Sequence, residues 1–423
     1  MKKHVIKNFF SLSLIKTFSI CVPIVVYPLA MKILGNGLFG QVLVFQSFLL
    51  FFVMTISFGF NLTGAKEISS INSNVKIKRV FFKNISQTKF ILLVLSSLLY
   101  LMLYFFVPNQ YKIIYPVGFV YLWAEFFNSQ WYFVGINKLS HISIISFVSK
   151  FSLVLFVYLI YRNNLATSVS YFLVSFLFAL DYFLVSFYSF ISAKNSINIR
   201  LSFLFGSFNF KENKKLLKSS SSVFSIVFIT ALKDRFNLVI VSILFSPAIV
   251  VVIDLSLKFL NILSLPSALL SMASFSSSSK NRDKIFFYNL LLMSFTITLV
   301  GYILFFFLLP FANDILFHFN TDFYNYIYII TFSALFLSIS CVLANNAFIS
   351  TGNDRVLLYN VAFTTGFYFI ALFCFYLSPF KSNLMGLVTV ISLTYLFEMV
   401  LRLFTFFIFL NKRWSVEEKL SNL

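Results

Sequence analysis

The chain has 423 residues, 60% of them hydrophobic and 11% charged, and a formal net charge of +20. A mean hydropathy of +0.92 excludes a water-soluble globular protein and puts the chain in a bilayer. In so apolar a chain the basic excess reports membrane topology, not a nucleic-acid surface.

Runs of about 20 apolar residues predict about twelve spanning helices, near 9–29, 38–60, 90–107, 112–134, 141–161, 167–191, 219–245, 247–273, 285–310, 323–350, 356–377 and 383–410. Met1-Lys2-Lys3 followed by an apolar run has the outline of a signal peptide. Lys16 interrupts that run, Pro23 and Pro28 follow, and no small-x-small cleavage site is present, so an uncleaved first helix is expected. Pro23, Pro28 and Pro266 break helix hydrogen bonding inside spans one and eight, as bending points for alternating access or as static kinks. Between spans one and two, Gly35-Asn36-Gly37-Leu38-Phe39-Gly40 matches the dinucleotide pattern G-x-G-x-x-G. No strand precedes it, and Phe58 to Phe60 stand where an acid is required, so a tight turn and close packing are expected instead. Ser219–Ser222 and Ser276–Ser279 read as caps at span boundaries. The loop 311–322, with Asp314 and Asp322, reads as solvated.

Cys21, Cys341 and Cys374 are single and in apolar surroundings, and His4, His141 and His318 have no Cys, Asp or Glu at ligand spacing. No G-x-x-x-x-G-K-[ST] stretch occurs. Neither a metal, a cofactor nor catalysis by the chain is therefore expected.

With the N-terminus inside, the inside segments carry 23 of the 33 Lys and Arg and the outside segments only Lys32, Lys112, Arg162 and Lys381. The inside set includes six cations from Lys66 to Lys89 and six from Lys194 to Lys218. That asymmetry predicts both termini in the cytoplasm. The basic stretch 192–218 separates an N-terminal six-helix half (1–191) from a C-terminal one (219–410), with a cytoplasmic tail at 411–423. Gly35–Phe52 and Phe245–Ile262 are weakly alike, consistent with a parallel repeat of the halves.

Eleven charged residues fall inside the spans: Lys16, Lys150, Lys233, Arg235, Lys258, Arg402, Glu125, Asp181, Asp234, Asp254 and Glu398. Charge in the bilayer core costs at least ~2.5–3.5 kcal/mol per residue, so a polar route through the membrane is expected. Asp254 and Lys258 share a helix face, as do Glu398 and Arg402. Arg402, near the inner end of the last span, is expected to snorkel, with Glu398 as its partner. Lys16 could partly do the same, whereas Lys233, Asp254, Lys258, Glu125 and Asp181 lie near mid-depth, in a polar cavity or as buried structural pairs. Trp131, near an inner boundary, is expected in the interfacial belt.

Three stretches carry a resemblance. They are Pro28-Leu29-Ala30-Met31-Lys32-Ile33-Leu34-Gly35 with Phe39-Gly40, then Phe58-Gly59-Phe60-Asn61-Leu62-Thr63-Gly64-Ala65-Lys66-Glu67-Ile68, then Gln130-Trp131-Tyr132-Phe133-Val134-Gly135-Ile136-Asn137-Lys138. In this order, ahead of a chain of about twelve spans, they resemble the O-antigen and polysaccharide-repeat-unit flippases of the multidrug/oligosaccharidyl-lipid/polysaccharide exporter superfamily. The resemblance covers about the first third of the chain. It implies an all-α integral membrane protein with two six-helix lobes around a central cavity lined by spans one, two, seven and eight. It implies a bacterial inner-membrane protein that flips a polyprenyl-pyrophosphate-linked oligosaccharide to the outer leaflet by alternating access, among membrane lipids and other polysaccharide-assembly proteins.

Under that expectation Lys16, Lys233, Arg235 and Lys258 supply charge-assisted contacts to the pyrophosphate. Glu125, Asp181 and Asp254 are candidates for a proton relay. Two alternatives stand beside it. A cation- or proton-coupled drug antiporter of the same superfamily favours a more acidic cavity. A membrane polysaccharide polymerase favours a larger outside loop than 311–322.

Overall fold

The computed structural model describes residues 3–410 apart from 72–73, 137, 139, 200–205, 207–208, 281–283, 351–352 and 380. Of residues 3–20, 273, 275–280, 284, 354 and 409–410 it describes the backbone alone. Among the described residues there is no strand, and the protein is an all-α, multi-pass membrane protein.

Nine helical stretches of the described residues are long and apolar enough to cross a membrane. The first, Cys21–Ser70, is 50 residues long and holds two crossings, because α1 (Lys3–Ser57) breaks at Gly35, where φ is 73°. That positive φ suits glycine and supplies the turn expected there. Two further expected spans miss the mark for local reasons. α4 (Val117–Phe127) stops after 11 residues and the chain resumes as the short α5 (Gln130–Gly135). α8 (Phe210–Leu244) is 35 residues long but carries Lys233, Asp234 and Arg235 in succession. The total is about twelve membrane helices.

Several helices run past the apolar stretches that mark them. α3 (Val75–Leu103) begins well before the apolar run at 90, capped by the Asn74 side chain, which accepts from the Lys76 and Ile77 amides. α7 (Thr167–Ser196) and α8 likewise extend into the basic connection. The serines read as caps lie inside helices instead. Ser219 and Ser221 sit within α8 and donate back to the Leu216 and Lys218 carbonyls, and the backbone of 276–279 belongs to α9 (Pro247–Lys280). A serine hydroxyl can return to a carbonyl one turn earlier, so a serine run need not end a helix.

Contacts divide the chain into two compact units, residues 1–239 and 240–423. In the first, α1 packs on α6 (Ser140–Asn163), α4 on α7, and α2 (Phe60–Ser70) on α5. The α2–α5 contact explains two of the stretches that carry the resemblance. A Cβ on Gly64 would meet the Trp131 ring at 2.8 Å, and one on Gly135 would meet the Ala65 carbonyl oxygen at 2.7 Å. The glycines let two short helices touch. Trp131 is thereby a core residue, not an interfacial one, buried in an aromatic cluster and stacked on Phe82 with centroids 5.6 Å apart.

In the second unit α9 packs against α10 (Lys284–Ala312), α11 (Asp322–Phe332) and α12 (Ala334–Val342), and α13 (Asp354–Leu377) pairs with α14 (Leu384–Thr405). After α12 the helix widens into a π-helical turn over Leu343–Ile349.

Candidate functional site

Inside the first unit α3, α4 and α7 bring four polar side chains together. Lys89 and Glu125 form an ion pair at 3.2 Å, with 2% and 1% of their side chains exposed. Lys89 Nζ also donates to the Asn128 carbonyl at 2.9 Å. Asn128 Nδ2 donates to Glu125 Oε2 at 3.1 Å, and the Tyr182 hydroxyl donates to the same oxygen. The local cause is the end of α4. Its last carbonyls lack helical partners, and the lysine supplies one while balancing the carboxylate. The Ser129 amide, just past the break, donates to Ser189 Oγ at 2.9 Å.

Lys89 thus lies in a helix and not on a connecting loop. Because α3 starts at Val75, Lys89 lies about four turns inside it. Glu125, a candidate for proton relay, has both oxygens engaged. Asp181, the neighbour of Tyr182 on α7, pairs separately with Lys150 of α6 at 3.0 Å and accepts from Ser149 Oγ at 2.6 Å. Lys150 and Asp181 are partly exposed.

In the second unit the i,i+4 spacing delivers what it promised. Lys258 pairs with Asp254 on one face of α9, the carboxylate buried and the lysine side chain 21% exposed. Arg402 pairs with Glu398 at 2.6 Å and donates from Nη1 to the Ser340 carbonyl of α12 at 2.9 Å. Arg402 is buried. The expected snorkelling does not occur, because the face of α14 that carries Arg402 meets a neighbouring helix.

Neutral groups complete the interior of this unit. Ser267, Ser271 and Ser274 lie along one face of α9. Ser267 shares a hydrogen bond with Thr298 at 2.7 Å and donates to the Ser294 carbonyl at 3.0 Å. Ser271 donates to Asn346 Oδ1 at 2.6 Å, and Asn346 Nδ2 donates to Ser274 Oγ at 2.9 Å. Asn345 Nδ2 reaches Ser271 Oγ at 3.0 Å. The π-helical turn thus presents consecutive asparagines to one face of α9.

Of the four cations expected to serve the pyrophosphate, Lys233 is buried on α8, with Nζ 3.9 Å from Asp234 Oδ1. Arg235 is half-buried on the same helix. Both belong to the first unit, whereas Asp254 and Lys258 belong to the second. The side chain of Lys16 lies outside the described residues. Among the described residues no three His, Cys, Asp or Glu gather as metal ligands.

Sequence reasoning missed Lys89, Asn128, Tyr182 and the asparagine pair. The run Ser86-Gln87-Thr88-Lys89 was visible as a polar head on an apolar stretch and passed as a boundary. Asn345-Asn346 was visible inside a span and passed because it is uncharged.

No family model matches the chain. Over 161 residues it is 22% identical to a Shigella dysenteriae protein described as "Putative O-antigen transporter", a match spanning 37% of this chain and 40% of that relative's length. Among solved structures, the inward-facing form of a multidrug resistance MATE family transporter of the MOP superfamily superposes with a TM-score of 0.69 at 11% identity, covering 94% of this chain and 96% of that one. The outward-facing form of such a transporter gives 0.62 at 12% identity, over 99% and 97%. The chain has the MATE fold. Within this MATE fold the first unit joins helices through the Lys89–Glu125 and Lys150–Asp181 pairs, and the second through neutral hydroxyls and amides such as Ser271–Asn346.

Proposed function

We propose that this protein is a flippase that moves a polyprenyl-pyrophosphate-linked oligosaccharide from the cytoplasmic to the outer leaflet by alternating access. The observation that carries the proposal is the set of cations on α8 and α9, Lys233, Arg235 and Lys258, which outnumbers the carboxylates beside them, Asp234 and Asp254, by one charge. An anionic pyrophosphate is the complement of such side chains, and Lys16 is assigned the same role. The partial likeness to a protein described as an O-antigen transporter supports the choice of cargo. Each unpaired sugar hydroxyl moved into hydrocarbon costs roughly 2–7 kcal/mol, so a polar path removes the main barrier to crossing. If a proton is coupled, Asp181, 13% exposed, is more accessible to it than Glu125, 1% exposed, with Asp254 as the further candidate.

A drug or cation antiporter is the second hypothesis, favoured by the fold of the superposed multidrug transporters. One assay separates the two. Proteoliposomes receive a lipid-pyrophosphate-linked oligosaccharide, and wild type is compared with Lys233→Ala and Lys258→Ala, with Lys258→Arg as the charge-preserving control. Flipping by wild type that falls about tenfold in the alanine variants and is retained by Lys258→Arg supports the proposal. No flipping, with exchange of a cationic dye against protons or sodium, gives the antiporter.

A further inference from the structure

The first unit contains an apolar cavity that no embedded charge explains. It has a volume of about 290 Å³ and is partly open. Val44 and Phe48 of α1, Phe106 and Pro108 of the connection after α3, Tyr115, and Val239 of α8 are among its walls. At roughly twice the ~150 Å³ of an apolar cavity that takes up benzene, it has room for about two five-carbon units of a branched chain.

One wall is held rigidly. Tyr115 stacks flat on Tyr100 with centroids 4.2 Å apart, and each hydroxyl donates to the other residue's carbonyl. Gly118 leaves the space for this, since a Cβ there would run into the Tyr100 hydroxyl. That wall of the cavity is therefore fixed in place. Beside it lies a cation. Lys112, one of the few basic residues expected on the outer side, places Nζ 6.0 Å from the centre of the Tyr104 ring. Tyr104 in turn packs edge-on against Tyr115 at 5.3 Å. Phe105 and Phe106 are more than four-fifths exposed and extend the apolar surface outward from the cavity.

We propose that this cavity holds the first isoprene units of a polyprenyl phosphate, with the phosphate at Lys112. The proposal rests on the flippase hypothesis and adds to it a site for the carrier's chain at the outer end of the first unit. A hydrocarbon chain accounts for the apolar lining, and a phosphate accounts for the adjacent ammonium.

The test uses the full-length protein in phosphatidylcholine nanodiscs. One probe is a polyprenyl phosphate with a diazirine on its second isoprene unit; the other is a phosphatidylglycerol with a diazirine in its acyl chain. The isoprenoid probe is expected to label residues 44–48 and 103–115 and to be displaced by unlabelled polyprenyl phosphate. Labelling should fall at least fivefold in Val44→Trp, which fills the cavity, and about threefold in Lys112→Ala. Equal cavity labelling by the acyl probe, labelling that is not displaced, or no cavity labelling overturns the proposal. Should Val44→Trp fail to fold by size-exclusion profile, Val239→Phe fills the cavity from the opposite wall, and displacement in wild type decides without any variant. Oligosaccharide flipping by the same wild-type preparation is measured in parallel. Flipping without cavity labelling removes this proposal alone. Cavity labelling without flipping removes the transport hypothesis and leaves a polyprenyl phosphate site.

Discussion

The two units solve the same problem, polar groups in an apolar interior, by different means. In the first, ion pairs run between helices: Lys89 of α3 to Glu125 of α4, and Lys150 of α6 to Asp181 of α7. In the second, Asp254–Lys258 and Glu398–Arg402 are each four residues apart on one helix, and Ser267, Ser271, Asn346 and the Arg402–Ser340 contact make bonds between helices. A charge pair between helices fixes their register, but each partner becomes a liability without the other. A ladder of hydroxyls and amides spreads the same task over many bonds worth roughly 0.6 kcal/mol each in a membrane. The first unit should therefore fail abruptly where its fully buried pair, Lys89–Glu125, is broken, and the second gradually.

Glu125→Ala is the strongest test of that contrast. It strands a buried ammonium and should lower stability by about 3–5 kcal/mol, read as a large drop in thermal midpoint in detergent. The double variant Lys89→Met/Glu125→Met should recover most of the loss; a double variant as unstable as the single one would break the account of the pair. Gly118→Ala comes next. The new methyl displaces the Tyr100 hydroxyl, and overpacking of this kind should cost about 1–3 kcal/mol by the same measurement. Asn346→Leu should cost about 1–2 kcal/mol, because Ser271 and Ser274 each lose a partner while the rest of the ladder stands. A loss as large as that of Glu125→Ala would erase the difference between the units. Lys150→Ala should shift stability less than Glu125→Ala, since its pair is 16% and 13% exposed and Asp181 keeps the Ser149 hydroxyl as a partner.

What was legible in the sequence follows the same division. Apolar runs and local spacing show in one dimension. The spans at α6 and α10 to α14 lie within a few residues of their apolar runs, and the Asp254–Lys258 and Glu398–Arg402 pairs follow from their spacing. Which face of a helix meets another helix does not show. Arg402 looked like a snorkelling residue and Trp131 like a belt residue because position along a span says nothing about the neighbour on each side. The break at Asn128 was hidden by uninterrupted hydropathy, and Lys89 by lying in a helix that begins before its apolar run. Of the candidate cations and carboxylates, the structure joins Asp254 to Lys258 and gives Glu125 and Asp181 partners that were not foreseen as such: Lys89, and Lys150 with Ser149.

The Lys89–Glu125 pair also sets a schedule for synthesis. Glu125 is made 36 residues after Lys89, roughly 2–7 s later at about 5–20 residues per second. Until then the lysine has no carboxylate to accompany it into the bilayer, and the Asn128 carbonyl that accepts its other hydrogen bond does not exist. α3 can take its final depth only once α4 has been made, so the two are expected to enter the membrane together as a hairpin. Tyr182 arrives later still and closes the cluster after both are in place.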